Sequence, residues 1–311
     1  MNYTNFVIGG AGTKNYASLG AIKKIEHIIP NIKKFLGVSS GSILATLLAI
    51  GCSAEELKKY YDEINFSDYK IRYSSLYTYY KMYRYGGIHD SSVFREQVIR
   101  TLLEKKTGNG DITFMDIYEK YGNILVIPTA CVNKRKMFYY NYITNPNMSV
   151  KYAIEQSCCV PGLFYPIHYK GDTLVDAGII DNYPLYYFNR DQMPNSREET
   201  VMPLKENLSE KTFGILIIDD KVSRTDDQEN PYLGNDDTST FTGYLKCILN
   251  TLLTTNSRCR IGPHYWQNTI AIDIGVNIDG VTDMVLTPEQ KTKMFDYGEQ
   301  EATRFIDSKN S

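Results

Sequence analysis

Three short stretches of this 311-residue chain hold residues whose type and spacing can do chemistry. The first is Gly37-Val38-Ser39-Ser40-Gly41, a G-x-S-x-G pattern between a strand-like run (Phe35 to Val38) and an apolar helix-like run (Ile43 to Ile50, ended by Gly51). In that context the small flanking residues let the backbone turn sharply and lift the Ser39 hydroxyl clear. The helix that follows aims its first N–H groups at developing negative charge. Those are the parts of a nucleophile that attacks a carbonyl, although a Gly/Ser turn capping a helix would look the same. The second stretch, Gly9-Gly10-Ala11-Gly12-Thr13-Lys14, follows the apolar run Phe6-Val7-Ile8. Its near-absent side chains expose backbone N–H groups to an oxyanion. A phosphate loop is the rival reading, but Asn15 stands where a dinucleotide fingerprint puts its third glycine, and no Gly-Lys-Ser/Thr completes a P-loop. In the third, Thr173-Leu174-Val175 runs into a turn at Asp176-Ala177-Gly178. Asp176 there is either a base or a turn carboxylate capping the next segment.

These groups need elements to carry them, and the pattern supplies strand, turn and helix twice within the first fifty residues. That alternation predicts parallel strands with crossover helices. Ser53-Ala54-Glu55-Glu56 fits a capping box that opens a helix to about Ile64, and Asp90 opens another to about Glu104. Ile124 to Val132 and Met137 to Tyr142 read as strands about a Lys134-Arg135-Lys136 turn, Val150 to Cys158 as a helix, and Thr212 to Ile218 as a core strand. Residues 189–211 and 219–240 are polar and loop-like. Phe241 to Leu253 carries a helical apolar stripe, and Thr269 to Ile274 a late strand.

Three blocks resemble the patatin-like phospholipases, in order: Gly10-Ala11-Gly12-Thr13-Lys14-Asn15 with Leu19-Gly20-Ala21, then Gly37 to Ser42, then Ser157-Cys158-Cys159-Val160-Pro161-Gly162 leading to Val175-Asp176-Ala177-Gly178 and on through Asp181-Asn182-Tyr183-Pro184. The likeness spans residues 6 to about 188. It implies an α/β fold, a three-layer sandwich whose central, mostly parallel sheet has helices on both faces, with 1–311 as one domain completed by a helix and strand in 241–311. It implies Ser39 as nucleophile and Asp176 as its base in a two-residue site that cleaves the esters of phospholipids or other acyl lipids, with no metal and no cofactor. The oxyanion falls to Gly10, Ala11, Gly12 and Thr13, with Ser40 at the helix N-terminus, and Lys14 is either a surface lysine or a guide for anionic substrate. A Ser-His-Asp site in the order Ser, Asp, His would need His264, the only one of four histidines after Asp176.

The family's first block commonly reads Gly-Gly-Gly and its third Asp-Gly-Gly or Asp-Gly-Ala. Here Ala11, Asn15 and Ala177 depart from it. An alanine at positive φ would carry strain of about 1 kcal/mol, so two readings stand: an active lipid hydrolase, or the same fold kept for lipid binding with a weakened site.

Composition excludes other classes. Thirty-four Lys plus Arg against thirty-six Asp plus Glu give a net charge of −2, with no positive field for nucleic acid. Six cysteines without C-x-x-C pairs argue for reduced thiols. The N-terminal residues lack a signal-peptide pattern, and the apolar run Ile43 to Ile50 falls far short of the roughly 20 residues that span a bilayer. The expectation is a cytoplasmic protein whose membrane contact, if any, is peripheral. Residues 69–85 hold seven tyrosines with Lys70, Arg72, Lys81 and Arg84 and no acid. That segment reads as an aromatic wall inside the domain or as a surface that meets lipid.

Overall fold

The computed structural model describes residues 2–69, 76–189, 196–197, 209–218, 243–244, 247–248, 252, 263–274 and 285–310. In chain order its elements are β1 (Asn5–Ile8), α1 (Tyr16–Lys24), β2 (Lys34–Gly37), α2 (Ser40–Ala49), α3 (Ala54–Glu63), α4 (Leu76–Tyr85), α5 (Ser91–Phe94), α6 (Arg100–Thr107), α7 (Phe114–Tyr121), β3 (Ile124–Cys131), β4 (Lys136–Tyr140), α8 (Val150–Ser157), β5 (Ile167–Tyr169), β6 (Asp172–Val175), β7 (Thr212–Ile218), α9 (Pro263–Trp266), β8 (Thr269–Asp273) and α10 (Pro288–Asn310). Most of the elements read from the pattern are there, including the capping box at Ser53 and Glu56. The loop expected at 219–240 and most of the helix expected at 241–253 lie outside the described residues.

The strands form one sheet in the order β5-β6-β3-β2-β1-β7-β8, with β4 pairing with β3 off that path. From β3 through β8 along this path the neighbours are parallel, while β4, β6 and β5 join antiparallel. The chain leaves β1 for β2 on one side and later returns to β7 on the other. The carboxyl ends of β1 and β2 are level, Ile8 pairing with Gly37, while β7 runs on to Ile218 past Ile215, its own partner for Ile8. Loops at such a reversal of strand order open the crevice where α/β sheets hold their ligands.

Alternation along the strands divides the core in two. Phe6, Ile8 and Phe35 point to one face, where Ile22 of α1, Leu44 of α2 and Met294 of α10 cover them. Val7 and Leu36 point to the other, where Tyr183, Tyr187 and Tyr265 pack. Both faces being covered makes the central strands almost continuously apolar, as parallel strands require. The result is the expected three-layer arrangement.

Two helices escape the sequence pattern. In α10 the buried positions are Met294, Gly298, Ala302 and Phe305, a narrow stripe interrupted by a glycine that reads as a helix breaker. Its reason lies in α1: a Cβ on Gly298 would stand 1.9 Å from the Ala17 carbonyl oxygen, and one on Gly20 1.9 Å from that of Phe295. The two backbones cross too closely for any side chain. The other is α4, whose large side chains face outward. The helix expected from Asp90 is interrupted by a π-helical turn at Arg95–Ile99, where Arg95 pairs with Glu155 and Glu96 with Lys151 of α8.

Candidate active site

The two glycines of the G-x-S-x-G turn are there for space. A Cβ on Gly37 would lie 2.2 Å from the Gly41 carbonyl oxygen, and one on Gly41 2.5 Å from that of Ile8. Between them Ser39 takes φ 50 and ψ −131 at the N-cap of α2. A side chain at positive φ costs on the order of 1–3 kcal/mol and persists only where its surroundings hold it. Two contacts do so: Ser39 N–H donates to Ser157 Oγ at 2.9 Å, and Ser42 Oγ–H donates to the Ser39 carbonyl at 2.6 Å. Ser39 is 9% exposed, lying just below the surface.

Asp176 follows β6, which β3 holds in line. Thr129 Oγ1 of β3 donates to the Val175 carbonyl at 2.9 Å, and Asp176 N–H donates to the Cys159 carbonyl at 2.8 Å. The carboxylate is 1% exposed. Ser39 Oγ–H donates to its Oδ2 at 2.6 Å, and Gly178 N–H donates to its Oδ1 at 2.7 Å. Burial pushes the carboxyl up to about 7, against the smaller opposing pull of those two hydrogen bonds. The group is enclosed, away from solvent. The turn-capping role and the contact to Ser39 belong to the same side chain, each using one oxygen. Burial also pushes the neighbouring Cys158 and Cys159 thiols well up, which keeps them protonated and poor nucleophiles. His264 lies on α9, and the partner of Ser39 Oγ is a carboxylate, not an imidazole.

The loop after β1 lies directly against this pair. A Cβ on Gly10 would stand 2.9 Å from Ser39 Cβ and 2.3 Å from Asn182 Oδ1. Gly10 N–H donates to the Asn182 carbonyl at 3.3 Å, Asn182 Nδ2 donates back to the Gly10 carbonyl at 2.7 Å, and Ala11 N–H donates to Ser40 Oγ at 3.2 Å. Two of the amides expected to face an oxyanion are therefore engaged within the protein. The same use argues against a phosphate cradle. Among the described residues no hydrogen bond engages the N–H of Gly12 or of Ser40. Gly12 has φ 56, and Thr13 shares its short 3-10 turn. Lys14 sits on that turn at 8% exposure, so the surface-lysine reading is corrected: the side chain is buried.

The departures from the family pattern also look different in three dimensions. Ala11 has φ −153, and the non-glycine residues at positive φ among those described are Ser39, Arg135 and Lys170. Neither Ala11 nor Ala177 carries the anticipated strain. Asn15 is a brace: its Nδ2 donates to Ser40 Oγ at 2.6 Å and to the Gly9 carbonyl at 3.2 Å, while Ser18 Oγ–H holds its Oδ1 at 2.7 Å. Sequence reasoning missed Asn15, Ser157 and Asn182 as supports. Their positions inside the three blocks were the available signal.

A strained serine turn between a parallel strand and a helix, with a buried carboxylate on its hydroxyl, defines the class as an α/β protein with a G-x-S-x-G turn at the carboxyl end of its sheet. The chain belongs to the patatin-like phospholipase family, whose model matches residues 6–189. It is 33% identical over 190 residues to "Uncharacterized protein R571" of Acanthamoeba polyphaga mimivirus, covering 60% of this chain and 62% of that one. It is 29% identical over 187 residues to "Probable lipid hydrolase 463L" of Invertebrate iridescent virus 6, covering 59% and 62%. The aligned region thus spans about three fifths of either viral relative's length. Among solved structures, VipD from Legionella pneumophila shares the fold with a TM-score of 0.59 at 16% identity, covering 99% of this chain and 67% of that one.

Proposed function

We propose that this chain is a serine lipid acyl hydrolase, of phospholipase A or lysophospholipase type, working through an acyl-enzyme on Ser39. The observation that carries the reading is the 2.6 Å contact between Ser39 Oγ and a carboxylate whose burial raises it to about 7. An ordinary carboxylate is too weak a base for a serine hydroxyl, and raising its pKa toward the working pH improves the match. As Ser39 Oγ attacks the ester carbonyl carbon, its proton passes to Asp176 Oδ2. The carbonyl oxygen becomes an oxyanion that the N–H groups of Ser40 and Gly12, with the N-terminus of α2, stabilise. Asp176 returns the proton to the departing alcohol, leaving an acyl ester on Ser39. Water then gives a proton to Asp176 as it attacks that ester, and the carboxylic acid leaves as the proton returns to Ser39. No metal or cofactor enters these steps. The absence of strain at Ala11 and Ala177 favours this reading over a lipid-binding relative with a weakened site.

Hydrolysis of a short-chain p-nitrophenyl ester by wild type, Ser39→Ala and Asp176→Asn tests it, together with labelling by a fluorophosphonate. Turnover and an adduct on Ser39 in the wild type alone are expected. Equal rates in all three proteins would refute the dyad.

A further inference from the structure

The helix α4 is amphipathic the wrong way round for a helix in water. Its inward positions, three and four residues apart, are Thr78, Lys81 and Met82, while Leu76, Tyr77, Tyr79, Tyr80, Tyr83, Arg84 and Tyr85 are exposed. Leu76 is 88% exposed and Tyr83 91% exposed, whereas Thr78 is the buried residue of the helix. A water-facing helix buries its apolar stripe and presents polar groups. A contiguous aromatic face turned outward instead marks a surface made to meet something apolar.

Charge and position say what. Residues 69–85 carry four cations and no acid in a chain of net charge −2. Of these, Lys81 is turned inward, donating to the Ile88 carbonyl at 3.1 Å, and Arg84 stays with the outward tyrosines. Tyrosine rings among cations suit the headgroup layer of a bilayer, apolar body toward the chains and hydroxyl toward water, and anionic lipid attracts the cations. The helix is also tied to the proposed catalytic pair. The Tyr85 ring packs on that of Tyr165 at 5.0 Å, Gly162 N–H donates to the Gly86 carbonyl at 3.2 Å, and Ile88 N–H donates to the Leu163 carbonyl at 3.1 Å. That segment continues directly from Ser157 and Cys159, which hold the Ser39 and Asp176 amides.

We propose that the outward face of α4 is the docking surface for an anionic phospholipid bilayer, set beside the Ser39 site. The inference deepens the hydrolase reading and rests on it for the purpose of docking, while attachment itself is measured without turnover. The full chain carrying Ser39→Ala is sedimented with phosphatidylcholine vesicles with and without phosphatidylserine, alone and combined with Tyr79→Ser plus Tyr83→Ser or with Arg84→Glu. The same surface changes in an otherwise wild-type chain are assayed on a soluble short-chain ester. Expected are tighter binding to the anionic vesicles, a loss of about tenfold or more with either surface change, and unchanged turnover of the soluble ester. Equal binding of parent and variants, or equal affinity for neutral and anionic vesicles, overturns the proposal. So does loss of a dimer in place of vesicle binding, which would assign the face to a second copy. Vesicle binding with no hydrolysis of any ester sinks the hydrolase reading and leaves the docking surface standing, and the converse result does the opposite.

Discussion

Asp176→Asn should slow the proposed ester hydrolysis and strengthen the protein, by an amount that depends on pH. In the folded chain the carboxyl titrates near 7 against an ordinary value of 3.8, because burial disfavours its charged form. At 1.36 kcal/mol per pH unit the displacement corresponds to about 4 kcal/mol. The folded-state value is the higher one, so folding favours the protonated acid. The stability this gives is complete below about pH 4, is lost as pH rises toward 7, and is gone above it. An asparagine, neutral throughout, escapes the loss while still accepting the Gly178 N–H. Urea unfolding of both proteins across that range should show similar stability near pH 4 and an advantage for the variant that grows to at most about 4 kcal/mol near pH 8. The hydrogen bond to Ser39, which asparagine satisfies less well, makes this an upper value. In the wild type, kcat/KM for a soluble ester should rise with pH about a midpoint near 7 as the base deprotonates, and the variant should lose on the order of 10²–10⁴ in rate. An advantage that stays constant from about pH 5 to pH 8, or a wild type that gains stability over that interval, would refute the claim that this buried carboxylate is held against its own ionisation.

The strain at Ser39 gives another expectation. Ser39→Gly relieves the positive φ of 50 that Ser39→Ala retains, so by denaturant titration the glycine variant should be the more stable of these two inactive proteins by about 1 kcal/mol. The reverse order would mean that the turn is not strained. Asn15→Ala removes the donors to Ser40 Oγ and the Gly9 carbonyl, and should lower kcat by about tenfold or more with little change in KM, because it loosens the groups facing the oxyanion and not those that bind acyl chain. A variant with wild-type kcat would show that the loop needs no such brace.

The serine turn was legible in the sequence because everything that makes it is local. Gly37, Ser39 and Gly41 are set by steric rules acting over five residues, and the flanking apolar runs announce the strand and helix that bend there. Period-two and helical patterns likewise gave most of the sheet and its crossovers, since burial on both faces leaves its mark on consecutive residues. Asp176 was different. Nothing in its spacing pairs it with a serine 137 residues away, and only the resemblance to a family connected them. Lys14 shows the limit of polarity as a guide, since the side chain that reads as surface is buried. In α4 the same rule fails in reverse, with tyrosines suited to a core facing out.

What the residues alone determined, then, is the local geometry: a strained serine between two glycines, strands apolar on both faces, and capped helices. Tertiary structure decided which distant groups meet. The order β3-β2-β1-β7 brings the loops after β1 and β2 to one end of the sheet, and Thr129 and Cys159 steer the end of β6 to the same place. There the surrounding core excludes water from Asp176. That exclusion raises its pKa, and it is a property of packing from every side that no stretch of sequence carries by itself.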